Sequence, residues 1–283
     1  MKKIFALLMI CALALMTGCG VEPDVKPQTL PNKVKIGMIT RLNASEESFG
    51  QFMTKVEETL EIKIASHTPV FFDNLNAMEM ALQSGQIAEM STYRSVARYI
   101  IAQDPQFQVL KDHSLEFIDS FCFALRDDDP ELKDALNMVI KEMQNDGTLD
   151  RLTKEYITDI STDREPPAIE LPHFDSAPTL KVAVTGDLPP LDYVGADGKP
   201  AGFNTAVLAE VGNRLLRNIE LIDVDSGARA AALTSKQVDV VFWAIVPVSE
   251  IIPKDSDKPA GVALTEPYFK DKTVHMIFKP EKK

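Results

Sequence analysis

The sequence contains little of the chemistry that marks disulfide-rich, metal-binding or nucleophilic proteins. Of its three cysteines, Cys11 and Cys19 lie in an apolar N-terminal stretch and Cys122 stands alone. A single remaining thiol cannot form an internal disulfide, and the four histidines follow no spacing typical of a metal site. There is no phosphate-binding glycine loop, nucleophile elbow or paired-carboxylate signature. The sequence therefore predicts no metal, no cofactor and no enzymatic activity.

Basic residues are also in deficit. Lysine and arginine number 30 against 42 acidic residues, which gives a formal net charge of −12. Because a nucleic-acid-binding protein needs a basic face to neutralise phosphates, this balance excludes a nucleic-acid partner. The apolar fraction of 45% is ordinary for a globular protein, and 283 residues suffice for one two-lobed protein or two small domains.

Residues 1–18 have the pattern of a secretory signal. Lys2 and Lys3 precede an apolar stretch, Ile4–Met16, that is too short for a comfortable membrane span. The stretch ends in Leu-Met-Thr-Gly-Cys19, which resembles a bacterial lipoprotein signal. This resemblance implies export, acylation of Cys19 and anchoring in a lipid bilayer that faces the periplasm or cell exterior. The alternative is an ordinary signal with an incidental cysteine. Residues 19–32, which are polar and proline-containing, would form a tether.

A pair of helices is predicted over Asp127–Ile157. Asp129 suits the N-cap position and Pro130 the first helical position. Gly147 can adopt the left-handed conformation that ends a helix, and Thr148 would cap the next helix. Apolar residues recur at helical spacing in the first helix and should face the core: Leu132, Leu136, Val139, Ile140 and Met143.

The rest of the chain alternates between strands and helices on both sides of a proline-containing linker, residues 161–179. The strands predicted before the linker are Val34–Ile39, Pro69–Phe72, Gln86–Met90, Val109–Leu110 and Ser120–Leu125, and the helices are Glu46–Leu60, Leu75–Ser84 with Asp73 as cap, and Tyr93–Ala102. The strands predicted after it are Leu180–Thr185, Ile219–Val224, Val238–Trp243 and Thr273–Phe278, and the helices are Thr205–Leu216 with Asn204 as cap, and Arg229–Leu233. Such alternation predicts an α/β fold with mainly parallel sheets flanked by helices.

Several motifs resemble those of type II periplasmic solute-binding proteins of the polar amino acid class. They include Asp197–Phe203 (DGKPAGF), Ala232–Val240 (ALTSKQVDV), Thr265–Phe269 (TEPYF) and the helical pair Asp127–Ile157. The resemblance implies two α/β lobes joined by a two-strand hinge. It also implies a small polar solute as ligand, an amino acid or a related compound, and the membrane subunits of an ABC transporter as partners.

These motifs occur in an unusual order, because the helical pair normally lies near the family's C-terminus. We interpret the chain as circularly permuted, with lobe II at 33–119, the return strand and closing helices at 120–160, and lobe I at 180–279. The alternative is two incomplete α/β domains in tandem, which would expose sheet edges and apolar faces. Permutation predicts that Thr273–Phe278 pairs with Ser120–Leu125 as the hinge.

The resemblance also indicates where a ligand would lie. The family's carboxylate-binding arginine falls on Ile251 and its ammonium-binding aspartate falls on Tyr93, so the ligand's identity stays open. Arg229, at a helix start, is a candidate anion clamp, with a surface arginine as the alternative. Trp243, the only tryptophan, would stack on a ligand or belong to the core. The full set of candidates is Asp187, Leu191, Tyr193, Ser226, Arg229, Trp243 and Ala244 in lobe I, and Arg41, Asn43, Ser45 and Tyr93 in lobe II.

The replaced arginine and aspartate leave a second function open. A ligand-sensing or scaffold lipoprotein would retain the binding-protein fold without transport. Specific binding of a solute without turnover would favour the transport function. A closed, dry and apolar cleft would favour the sensor or scaffold.

Overall fold

A computed structural model describes residues 33–43, 46–61, 67–111, 117–160, 168–250 and 252–280. The predicted signal and tether, with Cys19, lie outside the described residues, as do Ser45 and Ile251. No helix within the described ranges has both the length and the apolar character needed to cross a bilayer.

The first lobe is built around sheet A. Its strand β1 lies between β2 and β3 and runs parallel to both. Helices α2 and α3 bury apolar residues against this sheet, in agreement with the predicted alternation. The elements in chain order are β1 Val34–Ile39, α1 Glu46–Leu60, β2 His67–Phe72, α2 Leu75–Gln83, β3 Glu89–Tyr93, α3 Arg94–Gln103 and β4 Phe107–Val109.

The second lobe is built around sheet B. Strand β6 lies between β10 and β11 and runs parallel to both, whereas β5 runs antiparallel to β11. The predicted α/β fold is therefore confirmed, although the sheets are mixed, with antiparallel pairs at β5 as well as the parallel pairs at β6. The elements are β5 Ile118–Arg126, α4 Pro130–Asn145, α5 Thr148–Thr153, a π-helical turn Lys154–Thr158, β6 Thr179–Val184, β7 Asp187–Leu188, β8 Asp192–Val194, β9 Pro200–Ala201, α6 Phe203–Leu215, β10 Asn218–Asp223, a 3-10 turn Ser226–Ala228, α7 Arg229–Thr234, β11 Val240–Pro247, β12 Val262–Leu264 and β13 Phe269–Phe278.

Strand β13 passes from one sheet to the other. Its first part, Phe269–Lys272, pairs with β5, and its second part pairs with β3 and β4. The predicted pairing of Thr273–Phe278 with Ser120–Leu125 is therefore wrong, although the two strands are neighbours. The strand begins at Phe269, four residues before the predicted start. The prediction missed these residues because the polar stretch Lys270–Lys272 gives no strand signal in the sequence.

Helix α4 begins as the sequence predicts. The Asp129 carboxylate accepts a hydrogen bond from the backbone N–H of Leu132 at 3.0 Å, and Pro130 is the first helical residue. Gly147 has a φ of 79° and so takes the left-handed conformation. Thr148 does not cap α5, because it is the first residue of that helix and Gly147 holds the N-cap position. The predicted stripe is fully buried: Leu132, Leu136, Val139, Ile140 and Met143.

Two other predicted helix caps are wrong because their side chains serve contacts between distant parts of the chain. Asn74, not Asp73, caps α2, and the Asp73 carboxylate instead accepts a hydrogen bond from the backbone N–H of Gly227 at 3.1 Å. Helix α6 begins at Phe203, so Asn204 lies inside it. The buried Asn204 accepts a hydrogen bond from the Tyr268 hydroxyl at 3.1 Å.

Cys122 lies in β5 and is fully buried, which confirms the prediction of a buried strand thiol. Burial raises the pKa of this thiol to about 12, so it stays protonated at neutral pH. Within the described ranges, no group of three or more His, Cys, Asp or Glu residues is arranged to hold a metal ion.

Candidate functional site

A small cavity lies between the two lobes, next to the point where β13 passes from sheet B to sheet A. Its volume is about 30 Å³. A buried water needs roughly 10–15 Å³ of such space, and small-molecule sites span roughly 300–1,000 Å³. The cavity is therefore much smaller than an ordinary small-molecule site. The lining residues are Met38, Ile39, Arg41, Ser91, Thr92, Tyr93, Leu188, Trp243 and Thr273.

Arg41, two residues after the end of β1, is the charged residue of this lining. Its Nη2 donates to Oδ2 of the buried Asp119 at 3.3 Å, and its side chain remains 27% exposed. Burial alone would lower the pKa of Arg41. Coulombic interactions with Tyr93, Asp119 and Asp257 outweigh it, so the pKa is raised. Arg41 is thus a permanent cation at the cavity wall.

Tyr93 is the last residue of β3. The strand ends three residues beyond its predicted end at Met90, so Tyr93 does not begin the following helix. Its hydroxyl donates to Oδ2 of Asp119 at 3.0 Å, and its ring packs against Phe121 with centroids 4.7 Å apart. Burial is the main cause that raises the pKa of Tyr93 well above its usual value. The position that resembles the family's ammonium-binding aspartate therefore holds a neutral phenol.

Arg229 is fully buried and does not line the cavity, so the alternative of a surface arginine is wrong. Its guanidinium donates to the backbone oxygens of Ser226 at 3.2 Å, Trp243 at 2.8 Å and Thr40 at 3.0 Å. It also lies 4.2 Å from the centre of the Trp243 ring. Burial lowers the pKa of Arg229 to about 10. Backbone carbonyl oxygens therefore accept the hydrogen bonds that an anion clamp would donate to a ligand.

Trp243 belongs to the core, one of the two roles predicted for it, whereas its stacking on a ligand stays a prediction. It is 2% exposed and packs in the core, yet it lines the cavity. Its Nε1 has no hydrogen-bond partner among the described residues, and the same holds for the hydroxyl of the buried Ser226. Leu191 and Ala244 are fully buried in the core and do not line the cavity.

Asp187 and Tyr193 contact the other lobe rather than the cavity. The Asp187 carboxylate accepts a hydrogen bond from the backbone N–H of Leu75 at 2.7 Å, at the start of α2. The helix dipole and the free N–H groups favour an anion there, but burial of the carboxyl group opposes them and has the larger effect on its pKa. The Tyr193 ring lies 6.1 Å from the ring of Tyr99 in α3.

Further hydrogen bonds hold the lobes together. The backbone N–H of Asn43 donates to the buried carboxylate of Asp257 at 3.1 Å, and Asp257 also accepts from the backbone N–H of Ile245 at 3.0 Å. Sequence reasoning missed both Asp119 and Asp257. Neither belongs to a motif or a periodic pattern, and only the tertiary structure brings them close to Arg41.

Ionisation of Asp187 should make stability depend on pH. Burial, as the main cause, raises the pKa of Asp187 to about 6, compared with a usual value of about 4. The folded form therefore binds this proton more tightly. Its stabilising contribution is fully present below about pH 4 and is lost as the pH rises through about 6.

Asp187→Asn keeps an acceptor for the Leu75 N–H and removes the titration. The difference in free energy of unfolding, variant minus parent, should therefore increase by about 1 kcal/mol from pH 4 to pH 7. This value allows for solvent screening, because Asp187 is partly exposed. Urea denaturation at each pH measures this difference. Parallel profiles for the two proteins would contradict the expected linkage.

Comparison with known proteins supports the predicted resemblance. Residues 180–282 match the family model of the bacterial extracellular solute-binding proteins, family 3. This range contains the motifs Asp197–Phe203, Ala232–Val240 and Thr265–Phe269, and the resemblance inferred from them is confirmed. No curated protein sequence matches the chain.

Among solved structures, the chain is similar to a zinc-bound ligand-binding component of an ABC-type import system from Staphylococcus aureus (11% identity, TM-score 0.39, covering 87% of this chain and 65% of that chain). It is also similar to the aliphatic sulphonate binding protein SsuA from Escherichia coli (14% identity, TM-score 0.38, covering 88% of this chain and 62% of that chain). A third similar structure is a nutrient binding protein from Burkholderia cenocepacia bound to methionine (10% identity, TM-score 0.38, covering 87% of this chain and 84% of that chain). The chain thus spans slightly less than two thirds of the first two proteins. These TM-scores describe loose likenesses, and the fold assignment rests on the chain's own topology.

Proposed function

We propose that this chain is an exported, lipid-anchored solute-binding protein that holds a small polar solute between its two lobes and delivers it to the membrane subunits of an ABC transporter. The observation that carries this proposal is the family match over residues 180–282. Acylated Cys19 would supply the anchor, and residues 19–32 would supply the tether. Binding and release would require the lobes to open and close, and no catalytic step is part of the proposal.

The proposal includes the permuted order, with lobe II at 33–119, the closing segment at 120–160, the linker at 161–179 and lobe I at 180–279. The exchange of strands between the two parts of the chain supports it. Strand β5, from before the linker, lies inside sheet B between β11 and β13. Strand β13, from after the linker, pairs with β3 of sheet A. Two independent tandem domains would not need this exchange.

Solute binding should be visible as thermal stabilisation of residues 20–283. A ligand that binds only the folded protein adds about 2.7 kcal/mol at a concentration of 100 Kd. For a protein of this size, we expect the melting temperature to rise by about 5–10 °C. The panel contains amino acids, small carboxylates, amines and short peptides, each at several concentrations. A cooperatively unfolding sample that no solute stabilises would contradict the transport function.

A sensor or scaffold lipoprotein is the second candidate, and one observation favours it. The cavity measures about 30 Å³, and hydrogen bonds such as that between Asn43 and Asp257 join the two lobes. A cavity of this size suits a scaffold better than a carrier of a solute. The same panel separates transport from a scaffold, because a scaffold would show no stabilisation by any solute.

A further inference from the structure

We propose that the cavity between the lobes recognises a small monocarboxylate that has no amino group, and that Arg41 rather than Arg229 faces its carboxylate. Trp243 Nε1 would be the second donor. This inference rests on the proposed function, because it names the ligand class of the same solute site. It follows from the charges, the hydrogen-bond donors and the size of the cavity, considered in turn below.

The charged residue in the cavity lining is a cation, Arg41, whose positive charge is partly offset by the nearby Asp119. No acidic residue belongs to this lining among the described residues. The two nearby buried carboxylates already have partners. Asp119 accepts from Arg41 and Tyr93, and Asp257 accepts from two backbone N–H groups. A ligand ammonium would therefore lie near the cation Arg41 and find no free carboxylate in the lining, which is unfavourable. Amines and amino acids are disfavoured for this reason.

Hydrogen-bond donors without acceptors remain at the cavity. Arg41 donates one hydrogen bond to Asp119, and its other N–H groups have no hydrogen-bond partner among the described residues. The indole Nε1 of Trp243 is buried and equally without an acceptor in the described part of the chain. The buried indole N–H of Trp243 is costly until it finds an acceptor. The guanidinium of Arg41, which is partly exposed, has the planar shape that matches the two oxygens of a carboxylate. A carboxylate ligand would satisfy both residues.

The size and the remaining surface of the cavity limit the rest of the ligand. A volume of about 30 Å³ holds about two waters, so only a very short acid fits after a modest widening. Met38, Ile39 and Leu188 give the lining an apolar part that suits a methyl or ethyl group. The hydroxyls of Ser91 and Thr273 would tolerate a hydroxyl substituent. Acids of two or three carbons are the expected class.

Because Trp243 is the only tryptophan, its fluorescence reports directly on this cavity. The protein is titrated with sodium acetate, propionate and lactate, and separately with alanine, ethylamine and sodium chloride at the same ionic strength. We expect a saturable fluorescence change with the three acids and none with the other solutes. Arg41→Gln should weaken binding of the acids at least tenfold. Arg98→Gln, a matched change at an exposed position of α3, should leave binding unchanged.

The outcomes separate this inference from the proposed function. If alanine or ethylamine binds as tightly as the acids, or if Arg41→Gln binds them normally, the inference is overturned while solute binding stands. If the acids bind but Arg229→Lys rather than Arg41→Gln abolishes binding, the assignment of Arg41 is overturned. If neither these solutes nor any solute of the thermal-shift panel binds, the proposed function fails as well. The melting temperature of each variant establishes that it is folded.

Discussion

Replacement of Arg229 by alanine should lower the free energy of unfolding by about 3–5 kcal/mol, because each hydrogen bond from a charged donor contributes about 1.5–3 kcal/mol and the unpaired carbonyls stay buried. The guanidinium bonds to three backbone oxygens, of which that of Thr40 belongs to the other lobe. Its stacking on Trp243 adds a cation–π contribution. In a protein of this size, the melting temperature should fall by roughly 10 °C or more.

Two further variants make this result specific. Arg98→Ala removes an exposed arginine from α3 and should change stability by less than about 0.5 kcal/mol. Arg229→Lys keeps the charge, but a single ammonium does not span three carbonyl oxygens, so its effect should be intermediate. If Arg229→Ala keeps the parent stability and loses only the response to solute, Arg229 is the ligand clamp that its sequence context suggested.

Replacement of Gly202 by alanine should cost about 3 kcal/mol or more, as expected for backbone strain combined with overpacking. Gly202 precedes α6 with a φ of 103° and a ψ of 171°, a conformation that only glycine adopts readily. An added Cβ would lie 2.6 Å from the backbone oxygen of Leu191 and 2.8 Å from that of Pro190. These oxygens accept the hydrogen bonds of Phe203 and Asn204 at the start of α6. Relief of the clash would therefore disturb the helix start, and urea denaturation measures the loss.

Gly198 provides the matched control in the same motif. It also has a positive φ, of 76°, but no atom lies within 4 Å of the position of its Cβ. Gly198→Ala should therefore cost only the conformational strain, about 1–2 kcal/mol. An equal loss of stability in the two variants would show that the clash with residues 190 and 191 does not matter.

Local signals in the sequence were sufficient for much of the fold. Helix α1 has the predicted bounds, and α4 follows its predicted cap and apolar stripe, because both depend on residues close in sequence. The predicted helix caps were wrong where the polar side chain accepts a hydrogen bond from a distant residue. Asp73 accepts one from Gly227, and Asn204 accepts one from Tyr268. No local pattern distinguishes a cap from such a distant contact.

The candidate site was harder to predict than the fold. Arg41, Tyr93 and Trp243, which the sequence offered as ligand-binding candidates, line the cavity, and each follows or ends a predicted strand. It did not reveal that Arg229 faces carbonyl oxygens, one of them 189 positions away in the chain. It also gave no sign of Asp119, whose pairing with Arg41 decides how much positive charge the cavity retains.

Strand β13 also affects how the protein unfolds. It pairs with β5 of sheet B and with β3 and β4 of sheet A, so detaching it removes a neighbour from both sheets at once. Neither sheet then keeps its native set of paired strands. A strand shared in this way makes the stability of each lobe depend on the integrity of the other. The described part of the chain should therefore behave as one cooperative unit, rather than as two domains with separate melting transitions.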